Sequence, residues 1–134
     1  MENILAIDYG ENRVGIAIYK SGFLFPKKHL SRKSSSFWKD LIKIIKDEKI
    51  KKIIIGYPIT LKGEYGRVVE LVNDFVGTLK TQLPKDVVVE LIDERFTTKI
   101  AKDWLMNAYG GKYSVDSLAA LELLRGYLRN EGIL

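Results

Sequence analysis

Cysteine is absent from the 134 residues, which removes disulfides, thiol catalysis and thiolate metal sites together. Histidine occurs once, at His29 on an expected edge strand, so no serine–histidine chemistry need be invoked. No stretch of about 18 apolar residues is present, and no membrane span is expected. The opening MENILAIDYG lacks the basic start and unbroken apolar run of a secretory signal, so a cytoplasmic location is the default expectation. Internal repeats, low-complexity tracts and linkers are also missing, and residues 1–134 read as one domain.

What is present is an ordinary globular composition, 46% hydrophobic and 29% charged, in a chain long enough to bury one core. The net charge of +5 is unevenly spread. Residues 27–52 hold ten Lys/Arg against three Asp/Glu, leaving twelve against fourteen elsewhere. A basic segment on a slightly acidic body suits a polyanionic partner, although a solvated lysine-rich helix face explains the charge equally well.

Ile4 to Ile7 is a short, wholly apolar run ending at Asp8, the pattern of a buried central strand. Gly10-Glu11-Asn12 is turn chemistry, and Val14 to Tyr19 completes a hairpin. Phe23 to Leu30 supplies a third strand, broken or confined to an edge by Pro26. A serine of Ser34 to Ser36 is expected to cap a helix whose broad apolar face carries Phe37, Trp38, Leu41, Ile42, Ile44 and Ile45, with Lys39, Lys43 and Lys46 opposite. Ile53 to Gly56 and Val87 to Ile92 read as further buried strands, Val68 to Leu83 as a second amphipathic helix, and Ile100 to Leu105 and Leu118 to Leu128 as two more. The order β-β-β-α-β-α-β-α-α implies an α/β fold with a mixed five-stranded sheet: three antiparallel N-terminal strands, then parallel ones, with helices on both faces. Ligands of such sheets gather beyond the carboxyl ends of the strands.

Three acids fall there: Asp8 after the first strand, Glu94 after the last, and Asp116 at the start of the final helix. Asp93 adjoins Glu94, but successive strand residues face opposite ways, so only one can share a site with Asp8. Converging carboxylates repel unless a cation neutralises them. Oxygen donors without His or Cys select Mg²⁺ or Mn²⁺, and a pair of such ions can deprotonate water and stabilise a leaving oxygen in phosphoryl transfer. Each acid also has a structural reading: a turn bond for Asp8, an ion pair with Arg95 for Glu94, and helix-dipole compensation for Asp116. Gly10 is expected to supply a positive-φ turn beside Asp8, and Gly56 and Gly63 a mobile loop over the site.

Four blocks of this sequence resemble the pre-16S rRNA nuclease family, also called Holliday-junction-resolvase-like proteins, of the ribonuclease H superfamily. Asp8-Tyr9-Gly10-Glu11-Asn12-Arg13-Val14-Gly15-Ile16-Ala17 is similar to D-x-G-x-x-R-[IV]-G-[IV]-A. Gly56-Tyr57-Pro58 with Gly63 and Gly66 is similar to the family's G-x-P loop, and Asp93-Glu94-Arg95-Phe96-Thr97-Thr98 to its D-E-R-x-[TS]-T. Val115-Asp116-Ser117-Leu118-Ala119-Ala120 is similar to V-D-x-x-A-A, with Leu124 and Tyr127-Leu128 closing the pattern. The sequence departs from the family at Lys99-Ile100-Ala101, at Arg125 and in a short stretch from Asn107 to Ser114.

The resemblance implies a ribonuclease H-like nuclease that trims the 5′ end of precursor 16S rRNA. Asp8, Glu94 and Asp116 would hold Mg²⁺ or Mn²⁺, with Asp93 in support. Arg13 and Arg95 would contact phosphate or order the site, and Lys39, Lys43 and Lys46 would attract RNA. Cleavage of branched DNA by a homodimer rather than a monomer is the alternative within that class. A non-catalytic RNA-binding module and a nucleotide-binding phosphotransferase are the readings from other classes.

Overall fold

Alternation in the strands sorts the chain into two apolar layers on either side of one sheet. The computed structural model describes residues 2–58, 66–94, 99–109 and 111–134. The elements are β1 (Asn3–Asp8), β2 (Arg13–Lys20), β3 (Phe23–Ser31), α1 (Phe37–Asp47), β4 (Ile50–Pro58), α2 (Gly66–Gln82), β5 (Val88–Glu94), α3 (Lys99–Tyr109) and α4 (Val115–Asn130). The sheet order is β3-β2-β1-β4-β5. The first three strands pair antiparallel, and β4 pairs parallel with both β1 and β5. Element order and mixed sheet both agree with the sequence patterns.

In β1, Leu5 and Ile7 face a core shared with Phe37, Leu41 and Ile45 of α1 and with Val72, Phe75 and Leu79 of α2. Ile4 and Ala6 face the other way, joining Ala17, Ile54 and the buried face of α4. This one-residue alternation is the reason the central strands read as unbroken apolar runs: both of their faces are covered. Helices accordingly lie on both sides, α1 and α2 on one and α4 on the other.

Pro26 does not break β3. It stays in register opposite Ala17, tolerated because β3 is an edge strand with a neighbour on one side only. Ser36 occupies the cap position of α1 but makes no side-chain cap bond; its hydroxyl donates instead to Asp40 Oδ2 at 2.9 Å. Helix α4 has the orthodox cap, with Ser114 Oγ accepting from the Ser117 amide at 3.3 Å.

At the far end of the sheet, Glu48 ends α1 and ties three elements. Its carboxylate meets Lys20 at 3.2 Å and Lys27 at 3.4 Å, and its carbonyl accepts from Asn3 Nδ2 at 2.9 Å. Partial burial pushes the Glu48 carboxyl up, but the two lysines outweigh it and hold the group below the usual glutamate range. On the α4 side, Lys52 bonds Glu90 (2.8 Å) and Tyr127, which fastens β4, β5 and α4 together. Glu90 and then Tyr127, acting against burial, raise Lys52 above the ordinary lysine value.

Candidate acidic site

The carboxyl ends of the parallel strands β1, β4 and β5 share one end of the sheet. Across it runs a row of paired residues, Gly15, Asp8, Gly56 and Ile92, one from each of four adjacent strands. Asp8 is two residues beyond Ala6, so strand alternation turns it to the face covered by α4. Gly56 is therefore a buried strand residue beside Asp8, as the run Ile53 to Gly56 suggested, and not part of a loop over the site, which corrects that second expectation for it; Gly63 lies outside the described residues.

Helix α4 reaches Asp8 through a residue to which the sequence patterns assigned no task. A Cβ on Gly15 would overlap the Asp116 carbonyl and come within 2.8 Å of the Ser117 amide nitrogen. The first turn of α4 thus lies against the bare backbone of β2, at the residue directly paired with Asp8. Ala6 and Ala17, cross-strand partners with no exposed surface, present only methyl groups beneath the helix, and Ala120 joins the same buried cluster. Small residues on both surfaces allow this close approach. Only the fold reveals it, because residues 15 and 116 are a hundred positions apart.

The structure thereby brings two of the three acids, Asp8 and Asp116, to one place. Asp116 sits in the first turn of α4 with a quarter of its side chain exposed. Its Oδ2 is 3.0 Å from Arg13 Nε, at ion-pair distance but not aligned as a hydrogen bond, and this water-inaccessible oxygen has no hydrogen-bond partner among the described residues. Arg13 is 53% exposed, so the pair is well screened and contributes little to stability. Ser117 Oγ, fully buried in the next position, also lacks a hydrogen-bond partner among the described residues.

Strand β5 runs through Asp93 to Glu94, with Glu94 paired to Pro58 and two positions beyond Ile92, which packs in the α4-side core. The side chains of Asp93 and Glu94 and the whole of Arg95 lie outside the described residues. Among the described side chains no three of His, Asp and Glu gather around one point.

Gly10 does not adopt positive φ; among the described residues the glycines that do are Gly22, Gly111 and Gly132. A side chain at position 10 would instead overlap the Arg13 carbonyl, so the requirement is room inside the β1–β2 turn rather than handedness. Lys39, Lys43 and Lys46 are not brought to the acids. They line a groove of about 410 Å³ with Trp38, Ile42, Asp47 and Gln82, on the face of the sheet opposite α4.

Comparison with known proteins agrees with this architecture. Residues 2–130 match the family model described as RuvX: Holliday junction resolvase. A "Putative pre-16S rRNA nuclease" of Sulfurihydrogenibium sp. (strain YO3AOP1) is 34% identical over 131 residues, covering 96% of this chain and 90% of that protein. A protein of the same name from Flavobacterium psychrophilum is 32% identical, covering 96% and 97%. Among solved structures, T. thermophilus RuvC in complex with Holliday junction substrate superposes with a TM-score of 0.60, at 10% identity over 99% of this chain and 98% of that one. The likeness establishes the ribonuclease H-like fold.

Proposed function

This chain belongs to the RuvX family, described as Holliday junction resolvase, and from that premise we propose that it is a divalent-metal-dependent nuclease. One observation carries the reading: Asp116 Oδ2 is a buried carboxylate oxygen without a hydrogen bond, set by the Gly15 contact beside Asp8. A buried anionic oxygen that has a charge partner in Arg13 but no aligned hydrogen bond is incompletely satisfied. A hard cation accepts such a donor, and a carboxylate set free of His and Cys suits Mg²⁺ or Mn²⁺ rather than Zn²⁺.

Asp8, Glu94 and Asp116 would hold the metal, with Asp93 in support. When bound, the metal would supply an activated water and charge neutralisation at the scissile phosphate. Arg13 is the counter-charge of Asp116 here, and its half-exposed guanidinium is free on the solvent side to take a phosphate oxygen. Arg95, three residues after Ile92, fits the same task by its place in the sequence. The basic α1 face supplies long-range attraction to the polyanion.

The favoured substrate is the 5′ region of precursor 16S rRNA, the RNA in the names of the two curated relatives. Branched DNA is the second reading, favoured by the family description. We place the activity in the cytoplasm, in one catalytic domain spanning residues 1–134 and acting as a monomer or homodimer.

Purified Asp8→Asn and Asp116→Asn proteins, assayed with Mg²⁺ on precursor 16S rRNA and on a four-way DNA junction, test the proposal. Loss of about 100-fold or more in cleavage is expected from either change. Cleavage at the wild-type rate by both variants would remove the acids from the mechanism. Preference between the two substrates decides between the two readings.

A further inference from the structure

On the face opposite α4, an arginine and four aromatic rings stand at the active end of the sheet. Tyr9, the residue after Asp8, packs on Phe75 with centroids 5.1 Å apart. Phe75 stacks on Trp38 at 5.1 Å and 26°, and Phe37 closes the cluster edge-on. The Arg32 guanidinium lies over three of these rings, 4.6 Å from Phe37, 5.2 Å from Phe75 and 5.7 Å from Trp38. Its amide donates to the Asn12 carbonyl at 2.9 Å, which fixes Arg32 against the turn that follows Asp8.

The contrast with neighbouring cations is informative. Lys20, Lys27, Lys51 and Lys52 all have acid partners. Arg32 forms no ion pair with a described residue; aromatic faces orient it instead. A guanidinium held by rings keeps its donor fork for an incoming anion. Directly below begins the groove of Trp38, Lys39, Ile42, Lys43, Lys46, Asp47 and Gln82, whose three lysines outnumber its one acid.

We propose that Arg32 and Trp38 form a subsite for single-stranded nucleic acid next to the acidic centre, with the α1–α2 groove as its continuation. Arg32 takes a backbone phosphate, Trp38 offers its ring to an unpaired base, and Lys39, Lys43 and Lys46 follow the next phosphates. Basic grooves interleaved with aromatic rings bind single strands without reading sequence, whereas the bases of a duplex are already stacked on each other. The proposal rests on the nuclease reading for the identity of its partner.

Binding measured in EDTA separates this subsite from catalysis. The probe is a fluorescein-labelled oligouridylate about 12 nucleotides long, with an RNA duplex of the same length as control. Arg32→Gln and Trp38→Leu are each expected to weaken oligouridylate binding about tenfold, with Arg32→Lys only partly restored and Trp38→Phe close to wild type. Duplex affinity should be unchanged by Trp38→Leu. Wild-type binding of the oligouridylate by Arg32→Gln and Trp38→Leu would overturn the proposal, as would equal losses on strand and duplex.

Trp38→Leu removes core packing, so a second measurement leaves the cluster intact. In a Trp104→Phe background the remaining tryptophan reports directly, and oligouridylate should quench it; an unquenched Trp38 would also overturn the proposal. If the acid variants abolish nothing while Arg32→Gln still loses binding, the catalytic assignment fails and the subsite stands. Acid-dependent cleavage with unaffected Arg32→Gln binding means the reverse.

Discussion

At the scale of single residues, glycine carries opposite requirements at two positions. Position 15 has no room for a side chain, because the α4 backbone occupies the space, whereas nothing lies within 4 Å of a Cβ at Gly77 on the exposed side of α2. Gly15→Ala should destabilise by about 3 kcal/mol or more, since backbone rather than a side chain tip must move. Gly77→Ala should stabilise by about 0.5–1 kcal/mol through helix propensity. Urea denaturation of both variants checks the opposite signs. Asp8 and Asp116 could be singled out in the sequence because turn and helix-start chemistry surrounds them. The task of Gly15 could not, since its cause is a helix a hundred residues away. Gly10 shows a related limit: turn composition suggested positive φ, but the constraint is the Arg13 carbonyl.

At the scale of elements, Glu48 joins the end of α1 to β2 and β3, and it gives the fold a pH dependence. Its folded pKa lies below its unfolded one, so its contribution is complete above the unfolded value and declines as pH falls through the folded value. Glu48→Gln should therefore lower the thermal midpoint near neutral pH, with a cost of about 1 kcal/mol after solvent screening. The gap between wild type and variant should close on acidification below the ordinary glutamate range. Thermal melts across an acid series measure this, and a gap that widens in acid would contradict the assignment. Elements were the most legible level of the chain. Strands with both faces covered read as solid apolar runs, and helices as 3.6-residue stripes. The edge position of β3 was already signalled by Pro26; the missing cap bond of Ser36 was not, because Asp40 competes for its hydroxyl only once the helix exists.

For the whole molecule, the basic groove and the pair Asp8 and Asp116 occupy opposite faces of one sheet. The sequence showed a basic segment and a set of acids but not their relation in space, because the crossover from β3 through α1 to β4 decides which face the lysines cover. Nucleic acid that reaches both must wrap the end of the sheet where Asp8 and Tyr9 point to opposite faces. Replacing Lys39, Lys43 and Lys46 together by glutamine should make the slope of log affinity against log salt shallower by about 2 on single strands. Titrations at several salt concentrations test this, and an unchanged slope would remove the α1 face from the binding path. One property of the architecture bears on how the protein tolerates change. Helix α4 is seated by shape against Gly15 and by its buried face, not by the exposed turn at Gly111 that leads into it. The tether could be lengthened, and the second acid would still arrive at its post.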